Sequence, residues 1–498
     1  MAKRLTLYFT SDTHGYLYNT SFADPKPRAQ GMLGMAFPKD GNTLIVDGGD
    51  TIQGSPLTYY CHAKGLPMPC AAVMNDLQYD YVTLGNHDFN YGYETLLGHL
   101  QALNARCLCA NVRDRQNRMP VSGYALHTLQ NGFRVGLVGI VTDWVNLWET
   151  PEHLGTLEVS NPLEAARAAV KALEGQTDIL IGIYHGGFEK DVVSGRRLSE
   201  TDENIACRLC EELPFDILLT GHQHIVMANQ TYHGTHIVQT PCNATAFIRL
   251  TVDESGRIES ELCAPRADAP MKPWEEMLYA EVTAWLDQPI GRLSKPLWPE
   301  DKLAMALHGS PITAFFNRVQ LEASGAELSC TSLGNDVRGF DSAVTVRDVV
   351  ASYVYANTLV VLRVTGLVLR AALEQCATYF AVDGNGGVRV SDAFLTPKEA
   401  HYNYDYFDGI AYTFDLRNPP GHRVTQMLYN GQAVTDSQTF TLVMNSYRAT
   451  GAGDFDGFAG CERVREIQTD VSELILDYLS RHQYVEIPEG SAYHVIMP

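Results

Sequence analysis

Seven side chains with metal-binding chemistry follow short apolar runs in the first half of the sequence. They are Asp12, His14, Asp50, Asn86, His185, His222 and His224. Carboxylate, amide and imidazole ligands together favour borderline divalent cations such as Mn²⁺, Zn²⁺, Co²⁺ or Fe²⁺ over Ca²⁺. The two oxygens of the Asp50 carboxylate are placed to bridge two such cations. The pattern therefore predicts a two-cation site, in which the ions lie about 3.5–4 Å apart and act on phosphoryl oxygens.

The residue after Asn86 adds a group that can move a proton. His87 is suited to hydrogen-bond a phosphoryl oxygen or to protonate a leaving group beside the cations. Taken singly, these residues have plainer explanations, because a histidine at a strand end is usually a satisfied polar residue and Asp12 or Asp50 can cap a helix. Five strand ends that each carry the appropriate residue types favour the functional interpretation.

The elements that must position these residues follow an alternating strand and helix pattern over the first ~260 residues. Each apolar run ends in a polar cluster, and the runs span residues 44–46, 81–84, 135–141, 179–183 and 217–219. Active sites of layered α/β folds gather at the carboxyl ends of such strands. The sequence therefore predicts that the polar clusters meet at one edge of the fold.

A second domain is expected from the length of 498 residues, which exceeds what one ordinary core accommodates. The character changes after residue 252, where a Pro-rich and charge-rich stretch precedes a helical pattern. We expect a catalytic domain over 1–267, a linker helix over 268–288 and an α+β domain over 289–498. Helical spacing in 345–355 and 366–380 and strand patterns in 412–416 and 439–443 support the last of these.

Composition excludes several classes of protein. Hydrophobic residues make up 45% of the chain, which rules out disorder as a description of the whole. A formal net charge of −21 disfavours loose contact with nucleic-acid backbones and anionic membranes, so no stable nucleic-acid or membrane partner is expected. The basic N-terminus runs into the first strand without a long apolar segment, and the cysteines number 11, with no zinc-ribbon spacing. Both features predict a cytoplasmic protein, or an exported one if a leader is missing.

The motifs that carry these residues resemble those of the calcineurin-like metallophosphoesterases. They are Asp12-Thr13-His14, Gly49-Asp50, Gly85-Asn86-His87-Asp88, His185 and Gly221-His222-Gln223-His224. The resemblance extends to the 5′-nucleotidase family through Asn445-Ser446-Tyr447-Arg448-Ala449-Thr450-Gly451 and Gly453-Asp454. Residues 352–359 and 402–410 are most similar to the branch of 2′,3′-cyclic-nucleotide 2′-phosphodiesterases and 3′-nucleotidases. The resemblance covers nearly the whole chain.

The resemblance implies an N-terminal four-layer α/β/β/α sandwich and a C-terminal α+β nucleotide-binding domain. It assigns the seven residues above to two divalent cations and the catalytic histidine to His87. The acidic partner of that histidine in several relatives lies three positions later, where this chain has Asn90. Asp88 is the alternative partner and is predicted as catalytic with His87.

In the C-terminal domain, the resemblance implies a nucleotide-binding set. Tyr355 and Tyr447 match two rings that sandwich the base, Asn357 matches a base-contacting amide, and Asp454 matches a ribose-contacting carboxylate. Arg338 matches a phosphate-contacting arginine approximately. Without the resemblance, a tyrosine in a chain that has 25 of them is more often a core or interface residue.

The predicted function is hydrolysis of 2′,3′-cyclic nucleotides and 3′-nucleotides by a water that two cations activate. Three alternatives stay open: a 5′-nucleotidase or UDP-sugar hydrolase, a sulfur-ester hydrolase on the same scaffold, and a nucleotide-binding protein without catalysis. Trial substrates distinguish the 5′-nucleotidase or UDP-sugar hydrolase from the predicted reaction. Nucleotide binding without turnover identifies the non-catalytic protein. The residue types do not fix the metal, the preferred base or the oligomeric state.

Overall fold

The computed structural model describes residues 3–22, 26–198, 202–335, 337–353, 357–395, 399–467, 469–488 and 493–498. The chain divides into two compact units, Met1–Val282 and Thr283–Pro498. The division falls within helix Pro273–Leu286, which has Glu275 and Glu276 in its first turn, where the helix dipole favours negative charge. This helix lies inside the range expected for the linker.

Two sheets form the framework of the first unit. A seven-stranded sheet has the spatial order Ile258–Cys263, Phe247–Val252, Leu5–Thr10, Thr43–Asp47, Tyr81–Val82, Arg106–Leu108, Val121–Ser122. A six-stranded sheet has the order Met227–Tyr232, Thr235–Gln239, Ile217–Thr220, Ile179–His185, Arg134–Val141, Tyr124–Thr128. The central strands of both sheets pair in parallel. Antiparallel strands close both edges of the six-stranded sheet and the Ile258–Cys263 edge of the seven-stranded sheet, whereas Val121–Ser122 at the other edge of that sheet pairs in parallel. A separate pair, Val112–Asp114 and Leu157–Val159, is antiparallel.

The two sheets pack face to face over a continuous apolar core. Leu7, Phe9 and Val46 of the first sheet share one buried cluster with Leu137 and Ile181 of the second. The opposite face of the second sheet packs against helices Pro162–Leu173 and Ala206–Glu212 in another cluster. Because both faces of these strands are buried, residues on both faces are apolar. The strands therefore appear in the sequence as continuous apolar runs and not as alternating apolar and polar residues.

The helices of the first unit alternate with its strands. They are Pro56–Ala63, Cys70–Asp76, Tyr93–Ala102, Val145–Trp148, Pro151–Leu154, Pro162–Leu173 and Ala206–Glu212, with 3₁₀ turns Met32–Gly34 and His87–Phe89. N-cap residues fix where two of these helices begin. Ser55 forms a capping box with Thr58 at the start of Pro56–Ala63, and the Asn161 side chain accepts a hydrogen bond from the backbone N–H of Glu164 at the start of Pro162–Leu173. Each of these caps precedes a proline at the first helical position.

The second unit is an α+β domain built on a five-stranded sheet. Its strands lie in the order Asp405–Asp408, Leu328–Ser332, Thr439–Asn445, Leu359–Thr365, Glu462–Ile467. Smaller sheets comprise Gln432–Ala433, Val424–Tyr429, Ala411–Asp415 and Tyr493–Ile496; Ala343–Thr345, Pro289–Leu293 and Tyr484–Val485; and Phe380–Val382 with Val388–Val390. The helices are Lys302–His308, Pro311–Ser324, Val346–Ser352, Gly366–Ala377, Ser446–Ala449, Asp456–Ala459 and Val471–His482, with 3₁₀ turns Asp392–Phe394 and His401–Asn403.

The structure confirms the mixed α/β class and the strand and helix pattern predicted for both units. The five predicted runs of the first unit form strands, although the run at 81–84 keeps only Tyr81–Val82 in the sheet. Within the described ranges, no helix has both the length and the apolar character needed to cross a bilayer.

Candidate active site

The predicted ligands gather where parallel strands end. Strand pairing aligns Thr10 with Asp47 and Asp47 with Val82, so the loops that follow all three strands begin at one edge of the first sheet. In the second sheet, Tyr184 pairs with Thr220, which brings the following residues His185 and His222 to the corresponding edge. Hydrogen bonds then join the two edges, because the His185 Nδ1–H donates to the Gly48 carbonyl at 2.7 Å.

Two buried carboxylates lie at the centre of the cluster. Asp12 and Asp50 each accept one backbone hydrogen bond through Oδ1, from His222 N at 2.9 Å and from His87 N at 2.7 Å. Their Oδ2 atoms accept no hydrogen bond from any described residue. A buried carboxylate oxygen without a hydrogen-bond partner is costly, so these two atoms indicate a site for positive charge.

Imidazole groups surround the carboxylates. Asp50 Oδ2 lies 3.1 Å from His185 Nε2 and 4.0 Å from His14 Nε2, between the two rings. Asp12 Oδ1 lies 3.3 Å from His224 Nε2. Two overlapping groups have the spacing of metal ligands: Asp12 with His14 and His224, and Asp12 with Asp50 and His185. Asp12 belongs to both groups and Asp50 lies between two histidines, so either carboxylate is placed to serve two cations.

The remaining predicted ligands complete the second group. Asn86 Oδ1 lies 3.2 Å from His185 Nε2 and 2.8 Å from His222 Nδ1. All seven predicted ligands therefore lie in one network.

Contacts on the far side of each ring orient it towards this centre. The Nδ1–H groups of His14 and His185 face the carbonyls of Gln53, at 2.9 Å, and Gly48, at 2.7 Å, so that Nε2 is presented inward. His222 is reversed: its Nε2 faces Glu203 Oε1 at 2.8 Å, and its Nδ1 faces inward. Partners of this kind fix the tautomer of metal-binding histidines.

Backbone strain is concentrated in the same residues. Asp12, His14, Asp50, His222 and His224 all have positive φ, between 49° and 72°. Such conformations are unfavourable for residues with a Cβ and persist where the surrounding structure imposes them, as at active sites and ligand-binding positions. The strain is an independent sign that the cluster is a functional site.

Two glycines of the motifs allow the ligands to approach each other. A Cβ on Gly85 would lie 2.2 Å from Asp50 Oδ1, and one on Gly221 would lie 2.5 Å from Asp12 Oδ2. Any larger residue would displace the carboxylates. The glycines of these motifs are therefore required by packing.

Electrostatics prepares the cluster for cations. Burial opposes ionisation of Asp50, but the neighbouring His185 outweighs it and holds the pKa of that carboxyl well below its usual range. Burial lowers the pKa of His14 to about 4. Burial also opposes the charge of His185, yet Asp50 raises the pKa of this histidine to about 9. A cation at His185 must therefore displace a proton, whereas His14 and Asp50 already have the protonation states of ligands.

The ring of His87 contacts Asn90 and not Asp88, the alternative partner predicted from the sequence. Its ring Nδ1 lies 2.7 Å from Asn90 Oδ1, so Asn90 occupies the place of the acidic partner. The Asp88 carboxylate accepts hydrogen bonds from the backbone N–H groups of Asp50, Thr51, Ile52 and Gly85, at 2.8–3.1 Å. Asp88 thus ties the loop that carries Asp50 to its own loop, which carries Asn86, and we assign it a positioning role.

The sequence interpretation missed three residues beside the cluster. Glu203 contacts His222, the Trp148 ring stacks on His222 with centroids 5.6 Å apart, and Glu149 receives a hydrogen bond from the side-chain amide of Asn90. None belongs to a motif, and no spacing signal in the chain points to them. Tertiary contacts alone bring them to the site.

The candidate nucleotide residues of the second unit form a looser set. Asn357 lines a cleft with Phe316, Tyr353 and Asn445. Tyr447 is 43% exposed and lies edge-on to Tyr402, with ring centroids 6.5 Å apart. Tyr355 lies outside the described residues.

Two further candidates lie at the surface of this unit. Asp454 is exposed and has a φ of 67° in a turn that also contains Gly451 and Gly453 with positive φ. Arg338 is half exposed and its Nη2 lies 3.4 Å from Asp348 Oδ1.

A buried ion pair supports helix Ser446–Ala449, which carries Tyr447, and the following turn, which carries Asp454. The Arg448 guanidinium donates two hydrogen bonds to Asp405, at 2.8 and 3.1 Å, and both side chains are 1% exposed. Arg448 also donates to the carbonyls of Tyr402 and Ala452. This ion pair was not predicted from the sequence.

Comparison with known proteins defines the class. The model of the calcineurin-like phosphoesterases matches residues 5–226, and that of the 5′-nucleotidase C-terminal domain matches residues 289–460. A solved structure of a candidate 5′-nucleotidase from Staphylococcus aureus is 32% identical, with a TM-score of 0.78 over 99% of this chain and 100% of that one.

Curated relatives are more distant. A 2′,3′-cyclic-nucleotide 2′-phosphodiesterase/3′-nucleotidase of Haemophilus influenzae is 24% identical over 95% of this chain and 84% of its own length. The trifunctional nucleotide phosphoesterase YfkN of Bacillus subtilis is 24% identical over 97% of this chain, which spans only 38% of that longer protein.

Fold and site together define a calcineurin-like phosphoesterase, a hydrolase of ester bonds. With its C-terminal unit and the Staphylococcus aureus match, the chain belongs to the 5′-nucleotidase family. The class implies divalent metal ions. The residues present fit such ions, because two buried carboxylate oxygens lack hydrogen bonds from the described residues and inward-facing imidazole nitrogens surround them.

Proposed function

We propose that the chain opens 2′,3′-cyclic nucleotides at the 2′ position and removes the phosphate of 3′-nucleotides. The observation that carries the chemistry is the convergence of two hydrogen-bond-deficient carboxylates with inward-facing imidazoles at one sheet edge. The substrate class is supported by the Haemophilus influenzae relative and by two further 2′,3′-cyclic-nucleotide 2′-phosphodiesterase/3′-nucleotidases, each about a quarter identical to this chain.

We assign two divalent cations to the seven residues identified from the motifs. The donor set suits Mn²⁺, Zn²⁺, Co²⁺ or Fe²⁺. Bound there, the cations would neutralise phosphoryl charge and activate a water for attack on phosphorus. Metal analysis of protein purified without chelator, followed by reconstitution of chelator-treated protein with each ion, identifies the native pair.

His87 is the residue we assign to proton transfer. Its backbone N–H donates to Asp50 Oδ1 at 2.7 Å, which fixes the residue beside the carboxylate at the centre of the cluster. With Nδ1 and Nε2 both protonated, its ring donates from Nε2 to a phosphoryl oxygen or gives that proton to the departing nucleoside oxygen, which returns the ring to the Nδ1–H form. Asp88 preserves this geometry by fixing the backbone on both sides of the site.

The C-terminal unit supplies base recognition in this proposal. Tyr447 and Tyr355 stack on the base, Asn357 bonds its edge, Asp454 bonds the ribose and Arg338 bonds a phosphate. The exposed ring of Tyr447 and the position of Asn357 in a cleft support the first two roles. Stacking on tyrosine tolerates every base, which favours broad base specificity.

A second candidate is hydrolysis of 5′-nucleotides or nucleoside-diphosphate sugars. The Staphylococcus aureus structure with 32% identity carries a 5′-nucleotidase description, which favours this candidate. The same cations and His87 serve either reaction, so the two candidates differ in how the base-binding residues present the phosphate.

The test is turnover of a small substrate panel with Mn²⁺ present. The panel contains 2′,3′-cyclic AMP, 3′-AMP, 5′-AMP and UDP-glucose, and chromatography identifies the products. A chelator-treated sample and the Asp50→Asn variant are the controls. Metal-dependent formation of 3′-AMP from the cyclic substrate, followed by adenosine, supports the proposal. Turnover confined to 5′-AMP or UDP-glucose transfers the assignment to the second candidate. Nucleotide binding without turnover in metal-loaded protein overturns both.

The cytoplasmic location is also retained as a proposal. All eleven cysteines are free thiols and eight of them are buried, an arrangement that suits a reducing compartment. Fractionation of cells that express the full-length protein tests it.

A further inference from the structure

A line of hydrogen bonds runs from His87 towards the surface of the first unit. The His87 Nδ1 lies 2.7 Å from Asn90 Oδ1, and the Asn90 Nδ2–H donates to Glu149 Oε1. The other carboxylate oxygen, Glu149 Oε2, lies 2.7 Å from His153 Nδ1. No group in this line is one of the predicted metal ligands.

The chemistry of these groups fixes the direction of each bond. A carboxylate only accepts hydrogen bonds, so the side of Asn90 that faces Glu149 must be its NH₂ group. The carbonyl oxygen of Asn90 is then turned towards His87, where it too can only accept. The donor at the His87 end must therefore be Nδ1–H, which leaves the ring Nε2 for the substrate.

Burial makes Glu149 an effective anchor for Asn90. Its side chain is 1% exposed, whereas that of His153 is 40% exposed. Glu149 follows the short helix Val145–Trp148, with its backbone N–H bonded to the Val145 carbonyl at 2.9 Å, and Thr150 caps the next helix, Pro151–Leu154. The backbone on both sides of the carboxylate is thus held, and bonds to charged acceptors of this kind are stronger than neutral ones.

We propose that Glu149 is a positioning residue that acts through Asn90 to hold the imidazole of His87 as the Nδ1–H form. Glu149 thereby supplies, one residue further out, the negative charge that an aspartate at position 90 would provide directly. The inference rests on the proposed function insofar as it concerns turnover. An asparagine without this anchor could reverse its amide and present NH₂ to His87, which would oppose a proton on Nδ1.

The proposal predicts reciprocal effects of two substitutions. Glu149→Gln removes the charge that orients Asn90, and we expect kcat to fall about 10–100-fold with KM within about twofold, the range typical of outer-shell partners. Asn90→Asp alone places two carboxylates against each other and is expected to lower kcat as well. In the double variant, the carboxylate introduced at position 90 accepts from His87, and the amide introduced at position 149 donates to that carboxylate. The kcat of the double variant should therefore return to within about threefold of the wild type.

The matched control is Glu152→Gln. Glu152 is exposed, lies three residues from Glu149 and carries the same charge, so kcat should stay within about twofold of the wild type. Metal content and melting temperature are recorded for every variant. Equal metal content excludes loss of cations as the cause of a lower kcat.

A spectroscopic measurement tests the inference without turnover. The zinc-loaded protein, labelled with ¹⁵N-histidine, reports the tautomer of His87, whose signals are identified by their loss in His87→Gln. We expect the Nδ1–H form in the wild type and the double variant, and a mixture in Glu149→Gln. If the wild type turns over no nucleotide, the proposed function fails while this tautomer measurement still decides the inference.

Three results would overturn the proposal. An Nε2–H tautomer in the wild type does so directly, even if Glu149→Gln does not fold. Unchanged kcat and tautomer in a folded Glu149→Gln also refute it. A lower kcat that Asn90→Asp does not rescue shows that Glu149 has a merely structural role.

Discussion

The polar residues of the first unit and those of the second are held in different ways. In the first, Asp12, Asp50 and His185 are at most 1% exposed and are bonded to backbone groups of the loops that follow several strands. In the second, the candidate ligand residues Tyr447, in a short helix, and Asp454, in the turn that follows it, are exposed. There the buried polar contacts belong instead to Arg448 and Asp405 beneath the turn.

This difference matches the different requirements of catalysis and of base recognition. Activation of a phosphoryl group needs charges fixed to within fractions of an ångström, and only buried, strained and hydrogen-bonded side chains provide that. Stacking on a base tolerates looser placement, so an exposed ring on a well-supported short helix is sufficient. A substitution in the first site should therefore affect turnover, whereas one beneath the second should affect folding.

The sharpest test of the first half of this comparison is Asp50→Asn. Asparagine tolerates the left-handed φ of 57° at this position but provides only one weak oxygen ligand in place of two charged ones. We expect kcat/KM to fall by about 10³-fold, the upper end of what loss of one stabilising group costs. Bound metal should fall while the melting temperature of chelator-treated protein stays within a few degrees. Asp268→Asn, at an exposed ion pair, is the control.

Retention of both metal and turnover in Asp50→Asn would contradict the assignment of the central carboxylate. A large loss of stability without any loss of metal would instead make Asp50 a structural residue.

Arg448→Met tests the expectation that a substitution beneath the second site affects folding. Removal of the guanidinium leaves Asp405 buried without its charge partner, which typically destabilises a domain by about 3–5 kcal/mol. Denaturant unfolding measures the loss, and the metal content of the folded protein should not change. Arg389→Met, which removes an exposed ion pair with Asp392, should leave the free energy of unfolding nearly unchanged. Equal effects of the two substitutions would remove the distinction between the buried and exposed pairs.

Glu203→Gln examines an outer contact of the first site. Glu203 faces His222 Nε2 at 2.8 Å and orients the ring so that Nδ1 points inward. Loss of such a partner usually lowers metal affinity about 10–100-fold. Competition with a chelator measures the affinity, and the visible spectrum of the cobalt form reports the ligand geometry. Glu212→Gln, at the surface, serves for comparison. An unaltered affinity and spectrum would exclude Glu203 from the site.

Tyr447→Ala is expected to have the smallest effect. The ring is 43% exposed, so loss of its stacking on a base should cost about 1 kcal/mol, near the lower end for such contacts. That corresponds to roughly a fivefold rise in KM with little change in kcat. Tyr447→Phe keeps the ring and should resemble the wild type. A fall in kcat with unchanged KM would show that Tyr447 does not bind the base.

The sequence alone determined the class, the α/β pattern and a compact set of candidate ligands. It could do so because each ligand lies at the end of a strand or within a few residues of it, and parallel pairing brings strand ends together in any fold of this type. Asp12, Asp50 and Asn86 needed no knowledge of side-chain packing. Their metal-binding role remains a proposal, but their proximity was predictable.

Tertiary structure alone decided which residues support that set. Asn90 and Glu149 are 59 positions apart, Arg448 and Asp405 are 43 apart, and no periodicity joins either pair. Whether Asp88 or Asn90 meets the His87 ring was equally undetermined, because both lie one turn or less away along the chain. Four backbone N–H groups converge on the Asp88 carboxylate in the folded chain. The His87 imidazole therefore contacts Asn90 instead of Asp88.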